Sequence, residues 1–81
     1  MADERVKFEG RLAVNRRERS ETQLRMQGLV RSLRDLLEPI LPVELLETEL
    51  IAAQSLDLAK LSIRYRELLA EAHAIKDLLG K

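Results

Sequence analysis

A short segment bounded by prolines, Pro39-Ile40-Leu41-Pro42, interrupts this chain at the midpoint of its 81 residues. The stretches on either side are about equally long, have apolar residues at helical spacing and contain no other proline. Proline lacks a backbone donor and disfavours the helical conformation in the residue before it. The segment therefore predicts a corner between two helices, a first of about residues 3–38 and a second of about residues 43–79, with the turn at 39–42.

Apolar side chains in the first half recur in steps of three and four, which places them on one face of a helix. Across a polar stretch of that face, the inward positions are Asn15, Arg19 and Thr22 or Gln23. If the hairpin turns near residues 40–41, facing positions sum to about 81, so we expect Asn15 to lie opposite the neighbourhood of Arg66. Polar residues at such positions can fix the register of packed helices at some cost in stability. Alternatively, the N-terminal half of the first helix swings away from the hairpin, and the second helix buries its seam against another protein or a second copy of the chain. The apolar residues of the face are Phe8, Leu12, Met26, Val30, Leu33 and Leu37.

The first helix also has a possible interruption. Ser20-Glu21-Thr22-Gln23 matches a capping box, a pattern that marks helix starts. A break near this segment would give three helices instead of two.

The second half has two apolar faces, and one partner helix cannot cover both. One face is a heptad seam that alternates steps of three and four without a gap, formed by Leu58, Leu61, Tyr65, Leu68, Ala72, Ile75 and Leu79. The other lies well around the helix and is rich in alanine. So much apolar surface on a two-helix chain predicts a homodimeric four-helix bundle. We take residues of both faces as the protein-interaction site, namely Leu45, Ala52, Leu56, Ala59, Ile63, Ala70, Leu58, Leu61, Tyr65 and Leu68.

The composition favours an all-α, antiparallel, coiled-coil-like hairpin that forms a single domain over residues 1–81. Leu, Ala, Arg and Glu predominate, as in long helices. There is no cysteine, which excludes disulfides and fits a reducing compartment, so we expect a cytoplasmic protein. The start, Met1-Ala2-Asp3-Glu4-Arg5, lacks the apolar segment of a secretory signal. The longest apolar runs are far shorter than the roughly 20 residues that span a bilayer, so we expect no membrane contact.

The formal net charge is zero, but the charges are unevenly distributed. Residues 1–37 carry nine Lys/Arg and six Asp/Glu, whereas residues 38–81 carry five and eight. Opposite net charges on the two halves favour the pairing of two helices over the binding of a polyanion.

The sequence holds no pattern that predicts catalysis, a metal or a cofactor. His73 is the one histidine, and Asp77 follows it by one helical turn. Two ligands do not make a metal site, and no third donor lies near them. The serines have no histidine and carboxylate arranged to activate them as nucleophiles. We expect a protein that is not an enzyme and binds no cofactor.

A basic segment, Asn15-Arg16-Arg17-Glu18-Arg19, is followed by Ser32-Leu33-Arg34, Leu37 and Pro39. Together they resemble the basic region and first helix of the basic helix-loop-helix family. In that family an Asn, a Glu and neighbouring arginines read bases and phosphates in the major groove. The chain departs from the family in its longer first helix and in helical spacing over residues 43–57, where the family has a loop. The resemblance implies nucleic-acid contact, with candidate residues Arg11, Arg16, Arg17 and Arg19.

Two functions follow from these patterns. The first is a structural or protein-interaction module that self-associates, preferably as a dimer, or binds a helix of a partner through its apolar faces. The alternative is a nucleic-acid-binding or regulatory protein that uses the basic stretch of the first helix. The zero net charge favours the first, because nucleic-acid-binding domains usually carry a clear positive excess.

Overall fold

The computed structural model describes residues 2–80 and shows two long helices that fold back on each other. Helix α1 runs over Ala2–Leu36 and helix α2 over Thr48–Leu79, and the two pack against each other. The described residues contain no strand. The chain forms a rod with extents of 63 × 16 × 14 Å. The prediction of an all-α fold built from two packed helices is confirmed.

Helix α1 is continuous through the possible break near residue 20. The hydroxyl of Thr22 donates a 2.7 Å hydrogen bond to the backbone carbonyl of Glu18, one turn earlier. This bond belongs to a helix interior, where a threonine hydroxyl binds back to the preceding turn. The three-helix alternative is therefore wrong. Asp3 and Glu4 lie in the first turn, near the positive end of the helix dipole, and Arg34 lies in the last turn, near the negative end. Both placements stabilise the helix.

The corner is longer than predicted, because α1 ends at Leu36 and α2 begins only at Thr48. After Pro42 the chain makes one 3-10 turn over Val43–Leu45, in which the amide of Leu45 donates to the carbonyl of Pro42 at 2.9 Å. Leu46 then has extended backbone angles, φ −67° and ψ 131°. An α-helix cannot pass through an extended residue, so the second helix starts about five residues later than its predicted start at 43.

Helix α2 ends where the sequence places its stop. Gly80 has φ 73°, in the left-handed region, and its amide donates to the carbonyl of Asp77 at 3.2 Å. Glycine adopts this conformation without the steric penalty that a Cβ atom brings.

The buried core occupies only the end of the rod away from the corner. We call residues 23–67 the corner half, and the remainder of the described chain the distal half. No side chain of the corner half is buried, although several are half-buried. Two helices alone thus enclose a core in one half of the rod and leave the other half partly open. The buried apolar residues are Leu12, Leu68, Ala72, Ile75 and Leu79.

Candidate interaction surface

The heptad seam of α2 faces α1 of the same chain. Leu68 is 1% exposed, and Leu58, Leu61 and Tyr65 are half-buried. Towards the distal end the seam continues through fully buried Ala72 into a cluster that Phe8 of α1 covers. The four seam residues predicted for protein interaction therefore lie inside, or at the edge of, the intramolecular contact.

A polar layer crosses this contact where α1 lacks apolar residues. Asn15 is 2% exposed, and its Nδ2 donates a 2.8 Å hydrogen bond to the backbone carbonyl of Leu68 on α2. Its Oδ1 accepts a 2.7 Å hydrogen bond from Nε of Arg19. Donor and acceptor of the buried amide are both satisfied, which offsets most of the cost of burying it. Thr22 is also buried, Arg19 is half-buried and Gln23 is exposed, so Thr22 is the inward residue of the two that the helical spacing left open.

An ion pair between the helices borders the polar layer. Nη2 of Arg64 lies 2.8 Å from Oε2 of Glu18, and its Nη1 lies 3.6 Å from Oε2 of Glu67. All three side chains are more than 40% exposed, so solvent screens both pairs and each contributes little to stability. The spacing predicted Asn15 opposite the neighbourhood of Arg66, and the structure places it opposite Leu68. This offset of two residues follows from the 3-10 turn added on the α2 side of the corner.

The second apolar face of α2 points away from α1 and is exposed. Successive residues turn by about 100° on an α-helix, which puts this face roughly opposite the seam. Leu56 is 57% exposed and Ile63 is 55% exposed. The alanines of the face are exposed as well. We call this surface the outer stripe, and it consists of Ala52, Leu56, Ala59, Ile63 and Ala70. Leu45, which the helical spacing assigned to the same face, is exposed but lies in the 3-10 turn ahead of α2.

Uncovered apolar side chains concentrate in the corner half. At the corner itself Ile40 is 87% exposed and Val43 is 78% exposed. The exposed large apolar residues of the corner half are Leu24, Leu37, Ile40, Val43, Leu45, Leu50, Leu56 and Ile63, and those of the distal half are Val6, Val14 and Leu78.

The arginines of the basic segment do not share one face of α1. The guanidinium carbon of Arg11 lies 5.6 Å from the centre of the Phe8 ring. Arg19 is half-buried and bound to Asn15. Arg16 and Arg17 are exposed, but they are adjacent in sequence and so project about 100° apart. The structure thus spreads the four candidate nucleic-acid contacts around the helix.

The described part of the chain was also compared with the requirements of a metal site, a membrane-spanning helix and a small-molecule pocket. Residues 2–80 hold no group of three or more His, Cys, Asp or Glu side chains placed to bind a metal ion. Neither helix, within those residues, is long and apolar enough to cross a membrane. The clefts along the hairpin are open grooves, such as one of about 540 Å³ between Tyr65 of α2 and Met26, Val30 and Arg34 of α1. Small-molecule sites bury most of their ligand, which an open groove does not.

One polar residue of the corner half was missed at the level of sequence. The side-chain oxygen of Gln54 is buried and has no hydrogen-bond partner. Gln54 continues the seam spacing backwards from Leu58 and Leu61, so a polar residue at a seam position was the signal that could have found it.

Comparisons with protein-family models, with curated proteins and with solved structures find no match to this chain. Within the described residues, the outer stripe and the corner half hold most of the large apolar side chains that the hairpin leaves exposed.

Proposed function

We propose that this hairpin is a non-enzymatic interaction module that self-associates, or binds an amphipathic helix of a partner, through the outer stripe of α2. The observation that carries the proposal is the exposure of Leu56 and Ile63, both more than half exposed on the side opposite the core. Removing apolar area from water is worth about 25 cal/mol per Å². A dimeric four-helix bundle is the simplest assembly that covers the stripe.

The thin core of the hairpin supports the same proposal. Its buried apolar side chains all belong to the distal half, and the corner half has only half-buried ones. A chain of this size rarely gains enough stability from one small core, and association is one of the usual remedies. A partner that binds the folded hairpin and not the unfolded chain stabilises it by mass action.

Nucleic-acid binding is the less favoured alternative. Arg19 is engaged with Asn15 and Arg11 lies over Phe8, so two of the four arginines already have partners within the hairpin. Non-specific binding to duplex DNA appears at low salt and falls steeply as salt is added. We expect that the protein does not retard the migration of a random DNA duplex in a gel at about 50 mM salt. A shift of the duplex at that salt concentration, lost when salt is added, would favour nucleic-acid binding.

The test of the proposal is sedimentation equilibrium of the wild type and of two variants, Leu56→Lys and Ile63→Lys, at micromolar concentrations. The wild type is expected to sediment as a dimer or larger, and both variants as monomers, because a lysine ammonium is costly to bury. Val6→Lys is the matched control, since Val6 is 69% exposed but lies on α1 in the distal half. Circular dichroism checks that all four proteins remain helical. Association that is unchanged in both stripe variants would show that the outer stripe is not the contact surface.

A further inference from the structure

We propose that a groove between the two helices, on one side of the corner half, binds an acidic amphipathic helix of a partner protein. The groove is the open cleft of about 540 Å³ that Met26, Val30, Arg31 and Arg34 of α1 line together with Tyr65 of α2. We call it the basic groove. It is a different surface from the outer stripe, so the inference goes beyond the proposed function.

The floor of the basic groove is apolar and only partly covered. Met26, Val30 and Tyr65 are each half-buried, because two helices alone leave one side of these residues open to water. A third helix along the groove would bury them further, which is how an amphipathic helix docks into a hydrophobic groove. The lining extends from Gln23 to Arg34 along α1, or about 17 Å at 1.5 Å per residue. The groove therefore matches a partner segment of about three helical turns.

The charges of the basic groove have one sign. Arg31 and Arg34 are exposed at its corner end, and the other side chains of its lining are neutral. Neither arginine forms an ion pair within residues 2–80, although each has a carboxylate residue four positions further along the chain. Residues three apart on a helix are neighbours on its surface. The two guanidinium groups therefore suit two carboxylates that lie about one turn apart on a partner helix.

The groove on the opposite side of the helix contact has a different charge pattern. Leu29 and Val30 are adjacent in sequence and project about 100° apart, so they line opposite grooves. The groove at Leu29 is also lined by Arg25, Asp57 and Lys60, which are charges of both signs. An acidic partner would meet repulsion from Asp57 there, and it meets no carboxylate in the lining of the basic groove. Complementary charge thus assigns the partner to the basic groove.

The apolar floor favours a protein helix over a nucleic acid. Nucleic-acid binding depends chiefly on the neutralisation of phosphates by several cations, and the basic groove has two. Met26 and Val30 gain free energy from contact with apolar side chains, which a phosphate backbone does not offer. The hydroxyl of Tyr65 forms no hydrogen bond within residues 2–80, so it is able to donate one to a carboxylate.

Two matched peptides test the proposal. Each has about 18 residues on an alanine-rich helical scaffold, with leucines at helical spacing on one face. The acidic peptide has two glutamates about one turn apart beside the leucines, and the basic peptide has lysines in their place. Fluorescence anisotropy measures the affinity of the full chain for each peptide at about 0.15 M salt. The acidic peptide is expected to bind about 5- to 30-fold more tightly, because two ion pairs take the place of two repulsions.

Charge reversal locates the binding site. When Arg31→Glu is combined with Arg34→Glu, the basic peptide is expected to bind more tightly than the acidic one. Arg31→Gln combined with Arg34→Gln should bind both peptides about equally. Arg25→Glu combined with Lys60→Glu is the matched control in the opposite groove, and it should keep the preference for the acidic peptide, since charges more than about 8 Å apart are largely screened at this salt. Circular dichroism checks that every variant remains helical.

Four other results would overturn the inference. The first is equal affinity of the wild type for the two peptides, and the second is no binding of the acidic peptide at about 1 mM. The third is a loss of acidic-peptide binding in Ile63→Lys but not in the variants of Arg31 and Arg34. That result would place the peptide on the outer stripe, and so support the proposed function alone. The fourth is displacement of the acidic peptide by a random DNA duplex at the same salt, which would assign the groove to nucleic acid.

Discussion

The side-chain amide of Asn15 donates a 2.8 Å hydrogen bond to the backbone carbonyl of Leu68, and so joins the two helices inside the buried contact. A carbonyl oxygen has two lone pairs, so Leu68 can accept this bond and keep its helical one. A shift of one residue between the helices would leave a buried amide without its partner, at a cost of about 1–3 kcal/mol. The contact therefore favours one register of the hairpin over its neighbours.

Replacement of Asn15 by alanine is expected to lower the free energy of unfolding by about 1–2 kcal/mol. The variant loses the bond to Leu68 and the acceptor for Arg19, and regains only a little helix propensity. Urea unfolding at a fixed protein concentration measures the change, since association couples stability to concentration. Arg16→Ala is the control, because Arg16 is exposed and should shift stability by less than about 0.5 kcal/mol. Equal effects of the two variants would mean that the Asn15 contact contributes nothing.

The ion pair between Glu18 and Arg64 is expected to contribute little. A double-mutant cycle with Glu18→Gln and Arg64→Gln should give a coupling free energy below about 1 kcal/mol, because both side chains are more than 40% exposed. The coupling should fall further when salt is raised to 1 M, since screening shortens the range of the interaction. A coupling of several kcal/mol that does not respond to salt would argue against this account.

Gly10 and Gly28 are expected to be replaceable by alanine with a gain in stability. Both lie in the interior of α1, and a Cβ atom at either position would meet no neighbouring atom within 4 Å. Alanine favours a helix over glycine by about 0.5–1 kcal/mol at each position. Thermal unfolding of the two single variants measures the gain.

Gly80→Ala is the contrasting variant in the same experiment. A Cβ atom at Gly80 also meets open space, but the backbone there has φ 73°. The left-handed conformation costs an L-residue about 1 kcal/mol or more, so this substitution should destabilise the end of α2. If Gly10→Ala, Gly28→Ala and Gly80→Ala all shifted the unfolding temperature in the same direction, the distinction between the helix interior and the cap would be refuted.

Gln54→Leu is expected to raise the free energy of unfolding by about 1 kcal/mol. The side-chain oxygen of Gln54 is buried and has no partner, and a leucine of similar size removes the unsatisfied acceptor. Gln23→Leu is the control, because Gln23 is exposed on α1 and a change there should stay within about 0.5 kcal/mol. A loss of stability on replacing Gln54 would show that its oxygen is hydrogen-bonded in solution.

Local patterns predicted the two helices, the corner between them and the inward position of Asn15, but they left Thr22 and Gln23 as alternatives. Proline chemistry and a spacing of three to four residues act within a few turns of one helix, so the sequence displays them directly. The outer stripe of α2 was predictable for the same reason, because helical spacing alone places its residues on one face of the helix. Gly80 marks the end of α2 for an equally local reason, the left-handed backbone that follows a helix.

The sequence by itself thus determined that two helices meet at a corner and which side chains share a face of each helix. Only the tertiary structure decided that α2 starts at Thr48, that Asn15 meets Leu68 and not the neighbourhood of Arg66, and that burial is confined to the distal half. The start of α2 depends on the 3-10 turn at Val43–Leu45 and on the extended Leu46 that follows it. The helix register and the burial depend on packing between residues far apart in the chain, which the periodicity of a single helix does not encode.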